Sequence, residues 1–310
     1  MTFQLYGPGG QRELPTITRN KKMHDPALYR PSQALSDAVN VALALGQPLL
    51  VTGEPGTGKT QLAHHIAHHF QLDKPLIFNS QTTSTATDLF YKYDALGHFH
   101  YNQVHKDATL NLEEIEEKFI KYQALGEAIR SKSRKVVLID EIDKAPRDLP
   151  NDTLAAIEQL RFTVTEINQT FTIDPEFRPI IIITSNSEKN LPDAFLRRVV
   201  YYHIPFPTPS DLLRILHSKV DGFESEAQLD SIIQHFNDLR DNRSLKLKKR
   251  PATAELIQWS NLLLQLKFDV QQLANVTQLP REQKQQLLMS YSVLAKTKED
   301  LAALRKMLRL

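Results

Sequence analysis

The chain has 310 residues, 41% of them apolar and 24% charged, with a formal net charge of +2. These are ordinary globular proportions, enough to fill a sizeable core, and the length fits about two domains. The absence of cysteine excludes disulfides, thiolate metal sites and a thiol nucleophile, and the small net charge argues against duplex nucleic acid as the main partner.

The first residues, Met1 to Pro8, lack a basic start followed by an apolar stretch, so no secretory signal is expected. Residues 1–28 are polar and turn-rich and read as an extended lead-in. Ser32 to Leu45 carries Leu35, Val39, Val41, Ala42 and Leu45 near helical spacing, with Ser32 as N-cap and Gly46 as stop. A short strand, Leu49-Leu50-Val51, then runs directly into a glycine-rich loop. A second helix, Gln61 to Phe70, turns Leu62, Ala63, Ile66, Ala67 and Phe70 inward. Further apolar runs follow at Leu76–Phe78, Val136–Ile139, Ile180–Ile183 and Val199–Ile204. Continuous rather than alternating runs, separated by helical stretches, predict a parallel sheet buried on both faces. The longest, Pro48–Val51 and Pro179–Thr184, are strand-sized, far short of the roughly 18 residues of a membrane span. No membrane contact is expected, and the location is expected to be cytoplasmic. Beyond Pro207 helical patterns dominate, at Asp211–Leu216, Leu229–Leu239, Thr253–Leu266, Glu282–Ala295 and Glu299–Leu308. The boundary falls near Pro207–Pro209, predicting an α/β domain over 1–207 and a helical domain over 208–310.

The loop Gly53-Glu54-Pro55-Gly56-Thr57-Gly58-Lys59-Thr60 fits G-x-x-x-x-G-K-[ST] between a strand and a helix. Gly56 and Gly58 let the backbone curl round phosphate oxygens and present N–H groups with no side chain in the way. The helix that starts near Gly58 turns its positive end toward those anions. Lys59 brings a point charge to the β- and γ-phosphates, and the Thr60 hydroxyl ligates Mg²⁺. The expected ATP-binding stretch runs from Gly53 to Gln61.

Val136 to Glu141 is an apolar strand that ends in two acids, which is unusual unless they face a polar site. Asp140 is placed to hold the Mg²⁺ shell. Glu141 is placed to accept a proton from, or orient, the water that attacks the γ-phosphorus. A solvated turn is the bland alternative, and the glycine loop upstream disfavours it. Asp143 reads as a turn or capping residue before Pro146. The next run ends Ile183-Thr184-Ser185-Asn186-Ser187-Glu188. There Asn186 fits either a turn or an amide aimed at the attacking water or the γ-phosphate.

With these elements in order, and Leu191-Pro192-Asp193-Ala194-Phe195-Leu196-Arg197-Arg198 after them, the chain resembles MoxR-like AAA+ ATPases over about residues 29–260. The segments Pro48–Ala63, Val136–Ala145, Ile181–Asn186 and Leu191–Pro207 carry the resemblance. The last, with its paired arginines and Ile-Pro-Phe-Pro end, is closest to the CoxD-like branch, implicated in cofactor insertion for a molybdenum enzyme. The resemblance implies a P-loop NTPase αβα sandwich, with a five-stranded parallel sheet in the order 5-1-4-3-2 and a C-terminal helical lid. It makes Asp140 and Glu141 the Walker B pair and Asn186 sensor 1. Arg198 becomes the arginine finger that reaches the neighbouring subunit's ATP, with Arg197 the other candidate; two surface helix residues are the bland alternative.

One departure concerns sensor 2. In Arg250-Pro251-Ala252-Thr253-Ala254-Glu255 the family's arginine position holds Ala254; either Arg250, four residues earlier, replaces it or the sensor 2 function is lost. The basic run Arg243–Arg250 fits equally a place near the nucleotide or a solvated face. The family's two inserted hairpins would be Tyr91–His105 and Phe162–Phe171, facing the pore of a ring, although Phe90-Tyr91-Lys92-Tyr93 fits ordinary packing as well.

His64, His65, His68 and His69 form two i, i+4 pairs, but no metalloprotease carboxylate lies between them. His98, His100 and His105 read as solvent-facing, and Trp259 with the late leucines as core of the helical domain. The functional expectation is a homo-oligomeric ring, a hexamer, that binds ATP and Mg²⁺ between core and lid at a subunit seam. Hydrolysis would remodel a client protein, with a von Willebrand factor A-type partner. A ring motor or loader on nucleic acid is the rival, and a non-hydrolysing scaffold a second. The small net charge favours the protein client, and the intact Asp140-Glu141 pair opposes the scaffold.

Overall fold

The computed structural model describes residues 20–105, 110–187, 191–242, 244–245 and 247–310. Ser32 accepts the Leu35 N–H and so starts α1, Gln33–Leu45; left-handed Gly46, at φ +61°, ends it. Next come β1, Leu49–Gly53, the glycine loop and α2, Lys59–His69. Then follow β2 (Leu76–Asn79), β3 (Tyr91–Tyr93), α3 (Ala95–Val104), α4 (Leu112–Phe119), β4 (Ile120–Tyr122) and α5 (Ala124–Arg130). The unit closes with β5 (Val136–Asp140), α6 (Leu149–Gln159), β6 (Arg161–Val164), β7 (Gln169–Thr172), β8 (Ile180–Ser185), α7 (Asp193–Leu196) and β9 (Val200–Ile204).

One sheet runs β2-β5-β8-β1-β9 with every pairing parallel. Numbered among themselves in chain order, its strands read 5-1-4-3-2, the expected order. Leu49, Leu50, Val51 and Val136 to Ile139 are fully buried, which only a sheet covered on both faces allows. Leu50, Val137, Ile139, Ile181 and Ile183 share one apolar cluster with Leu125 and Ala128 of α5, Leu154 of α6 and Phe195 of α7. Their alternating neighbours point to the other face, where α1 and α2 pack. Phe70, expected inward, is exposed instead, and so are Val41 and Leu45 of the apolar set in α1. Phe70 lies one residue past the end of α2, so the helical stripe does not carry it to the core.

The hairpin expected within Tyr91–His105 is a different object. Only Tyr91–Tyr93 is strand, and it pairs antiparallel with Ile120–Tyr122; α3 and α4 lie between. Asp94 accepts the Gly97 N–H at 2.8 Å and turns the chain into α3, while Asn111 and Glu114 form a capping box that starts α4. His98 does not face solvent freely: its ring stacks on Phe119 at 4.6 Å and bonds the Tyr93 hydroxyl at 2.6 Å. The second hairpin is as expected, with Val164 opposite Gln169 and Asn168 left-handed at φ +49° in the turn. Phe90 and Tyr91 are core residues. Phe162 of the hairpin stacks on Phe90 at 4.9 Å and on Phe171 at 5.2 Å, so both insertions share one apolar seam.

The chain divides into two compact units, Pro31–Pro205 and a second that joins the described residues before Pro31 to Phe206–Leu310. The second holds α8 (Pro209–Lys219), α9 (Glu226–Asp241), α10 (Thr253–Gln265), α11 (Arg281–Ser290) and α12 (Lys298–Met307). Trp259 is fully buried there and donates to Ser290 Oγ at 2.9 Å. The helix expected to reach Ala295 stops at Ser290, and tight turns carry the chain to Ala295. The lead-in is not extended where it is described. Asn20 and Asp25 cap 3-10 turns at Lys21–His24 and Pro26–Leu28, and the Lys219 ammonium donates to the Lys22 and Met23 carbonyls. The earlier residues of that lead-in, together with Glu188, Arg243 and Lys246, lie outside the described residues. Among the described residues no helix is long and apolar enough to cross a membrane.

Candidate functional site

In a parallel sheet all carboxyl ends lie at one edge, and neighbouring β5, β8 and β1 bring their terminal loops together there. Gly53, Gly56 and Gly58 have φ of +150°, +79° and +93°, which only glycine adopts without strain. A Cβ on Gly53 would stand 2.8 Å from the Ile204 carbonyl. Gly58 is the N-cap of α2 and offers no side-chain cap, so the first turn turns its N–H groups to the loop's concave side. These features fit a phosphate cradle.

The Lys59 ammonium is buried and donates to Gly53 O at 2.9 Å, Glu54 O at 3.0 Å and Asn186 Oδ1 at 2.9 Å. Burial pushes its pKa down, against the opposing pull of Asp140, Asp143, Glu141 and Glu54. Thr60 Oγ1 stands 3.2 Å from each Asp140 carboxylate oxygen. A hydroxyl and a carboxylate converging this way are the hard oxygen ligands a Mg²⁺ ion takes.

Thr184 joins the two acids. Its hydroxyl donates to Asp140 Oδ1 and accepts the Glu141 N–H at 2.9 Å. Glu141 is left-handed, at φ +54° and ψ +49°, which turns its side chain out of the strand direction. The Lys144 ammonium contacts Glu141 Oε2, and the Asn186 amide approaches Oε1 at 3.4 Å. The hydrogen bond from Lys144 is the main cause holding the Glu141 pKa below the usual carboxylate range, against a modest burial penalty. The Asn186 N–H donates to Asp143 Oδ1 at 3.1 Å. Asn186 is therefore more than a turn residue, since it touches Lys59, Glu141 and Asp143.

Lys59, Thr60, Asp140, Glu141 and Asn186 thus form one constellation. Thr184, Asp143 and Lys144 belong to it too, and the sequence reading missed them. Thr184 had a signal, a hydroxyl on a buried strand two residues before Asn186; Lys144 had only its i+3 spacing from Glu141.

Arg197 and Arg198 are elsewhere. They follow α7 and precede β9, whose first residue, Val200, donates to Pro48 O at 2.9 Å, at the amino end of β1. The length of β1 separates them from this chain's own loop, about 16 Å at the usual rise of a strand. With Arg178 and Glu158 they line a cleft of about 160 Å³ beside Gly46–Pro48. Arg198 Nε lies 3.9 Å from Glu158 Oε1. Arg250 belongs to the helical unit, 4.0 Å from Asp241 Oδ1, and Ala254 lies in the first turn of α10.

Residues 48–199 match the family model for an AAA domain of the dynein-related subfamily. This segment is an AAA domain. Its matched span holds the glycine loop, the acid pair, Asn186 and both arginines. Among solved structures the chain is similar to forms of Thermotoga maritima RuvB. A threonine-to-valine variant shares 18% identity over 84% of this chain and 74% of that one, with a TM-score of 0.43. An arginine-to-alanine variant gives 18%, the same coverage and 0.45. A third, the RuvB Holliday junction branch migration motor, gives 17%, the same coverage and 0.42. No curated protein matches the chain. AAA domains as a class hydrolyse ATP, which is the chemistry the match implies in general terms.

Proposed function

We propose that the AAA domain binds Mg·ATP and hydrolyses it, and that the chain works as a MoxR-like chaperone ATPase on a client protein. One observation carries the reading: Lys59, Asn186 and Glu141 are joined in series at 2.9 Å and 3.4 Å beside the Thr60–Asp140 pair. Lys59 would exchange the carbonyls of its own loop for β- and γ-phosphate oxygens. The N–H groups of the loop and of the first turn of α2 would bind the remaining oxygens. Thr60 and Asp140 would hold Mg²⁺, which when bound neutralises charge on the phosphates. Asn186 would orient the attacking water or the γ-phosphate, and Glu141 would take the water's proton.

Arg197 and Arg198 stand at the sheet edge opposite this chain's own loop, which supports delivery in trans. A second copy packed head to tail would bring a guanidinium to the γ-phosphate, and repetition closes a ring, here proposed as a hexamer. In other NTPases such a finger is worth roughly 10³- to 10⁵-fold in kcat. The exposed Leu96, Phe99 and Val104 of α3 suit a protein client better than a polyanion. Arg250 as a substitute for sensor 2, and a von Willebrand factor A-type partner, belong to the same proposal.

The test is Glu141→Gln. It should lower ATPase turnover by about 100-fold or more while leaving Mg·ATP binding intact, and with ATP it should trap the client on purification. Turnover equal to wild type would remove the hydrolysis claim. A DNA titration with a steep salt dependence, and no protein trapped, would move the client to nucleic acid.

A further inference from the structure

The proposed reaction leaves Lys144 without a task. It stands three residues after Glu141 with its ammonium on Glu141 Oε2, and its side chain is 53% exposed. The other carboxylate oxygen, Oε1, takes the Asn186 amide at 3.4 Å, and Asn186 Oδ1 takes the Lys59 ammonium at 2.9 Å. Four side chains thus form an unbroken series, from the buried ammonium of the phosphate loop to an ammonium at the surface. The backbone on which Glu141 sits is fixed as well, left-handed and with its N–H on Thr184. The carboxylate can therefore move only by rotating its own side chain, and both of its oxygens are engaged.

We infer that Lys144 is a positioning residue that restrains Glu141, holding its carboxylate away from the attacking water. The inference rests on the hydrolysis reading above. A carboxylate oxygen that accepts from an ammonium has that lone pair occupied and is a poorer acceptor for a water proton. Triphosphate oxygens compete with Asn186 for Lys59, and once Lys59 turns to them the Asn186 amide is free to reorient. Glu141 is then held from the Lys144 side alone, by an exposed pair of the kind that breaks readily. The hydrogen-bonded partner of the Lys144 ammonium is Glu141, whereas Asp140 acts on it only through space, so its restraint bears on turnover more than on nucleotide binding.

Steady-state ATPase kinetics on the full chain test this with Lys144→Met and Lys144→Arg. Lys144→Met should raise kcat roughly two- to fivefold, the span an exposed ion pair supports, with KM for ATP unchanged. Lys144→Arg, which restores a cation at the same reach, should bring kcat back toward wild type. A kcat for Lys144→Met at or below wild type would overturn the inference, as would a change confined to KM or a rise shared in full by Lys144→Arg. A wild type that releases no phosphate from Mg·ATP sinks the hydrolysis reading beneath it; an active wild type with unaltered Lys144→Met kinetics sinks this inference alone.

Discussion

Thr184 carries no charge, yet it ties the two acids together. Replacing it with valine keeps the shape but deletes a bond to Asp140 and the acceptor for the Glu141 N–H. Losing such bonds to a charged or buried partner costs about 1–3 kcal/mol. Thr184→Val should therefore lower the melting temperature by about 2–4 °C per kcal/mol lost and, by loosening both acids, lower kcat roughly tenfold or more, as paired thermal melts and ATPase assays would show. The residues that carry chemistry by type were legible from sequence: a lysine after two glycines, two acids ending an apolar strand. Those that act by holding others were not. Asp143, in the turn after β5, looked like a capping residue because its partner, the Asn186 N–H, lies just past the end of β8, 43 residues away. Register between strands brings such groups together, and local pattern does not record it.

At the scale of elements, the buried strands were legible because continuous apolar runs admit few other readings. The hairpin β6–β7 was legible because alternation survives in a half-exposed ribbon: Phe162 and Val164 are buried while Arg161 and Thr163 are exposed. The other insertion was not. Its strands are three residues each, and they meet only after two helices have intervened. The asparagine–glutamate spacing of Asn111 and Glu114 was the overlooked sign that a helix starts there. Phe162 joins the two insertions, so Phe162→Ala should destabilise the AAA domain by about 3–5 kcal/mol. Urea denaturation followed by tyrosine fluorescence would check it, and a loss below about 1 kcal/mol would show that the insertions do not depend on that seam.

Over the whole molecule, the helical unit carries a pH dependence separate from the catalytic chemistry. His235 is buried with Nδ1 on the Leu273 carbonyl at 3.1 Å and Nε2 on the Tyr291 hydroxyl at 2.6 Å. A carbonyl only accepts, so Nδ1 carries the proton and Nε2 accepts from Tyr291. Burial lowers the His235 pKa from 6.5 to about 4. The unfolded chain then binds the extra proton first, and stability falls as pH drops from 6.5 toward 4, by about 3 kcal/mol in all. Denaturant midpoints between pH 7 and pH 4.5 should fall more steeply for wild type than for His235→Gln. The proposed ring makes another prediction. Lys59→Ala and the double variant Arg197→Ala/Arg198→Ala should each be inactive alone. Mixed, they should regain ATPase activity, because some seams then join an intact loop to an intact arginine pair.

Beneath all of these lies the grip of the Gly53–Thr60 loop, with its buried ammonium, on a triphosphate. Isothermal titration of the purified chain with ATP and Mg²⁺, beside Lys59→Ala, tests it most directly. The account predicts saturable heat from the wild type and none from Lys59→Ala at the same concentrations. No heat from the wild type, or the same isotherm from both proteins, would contradict it.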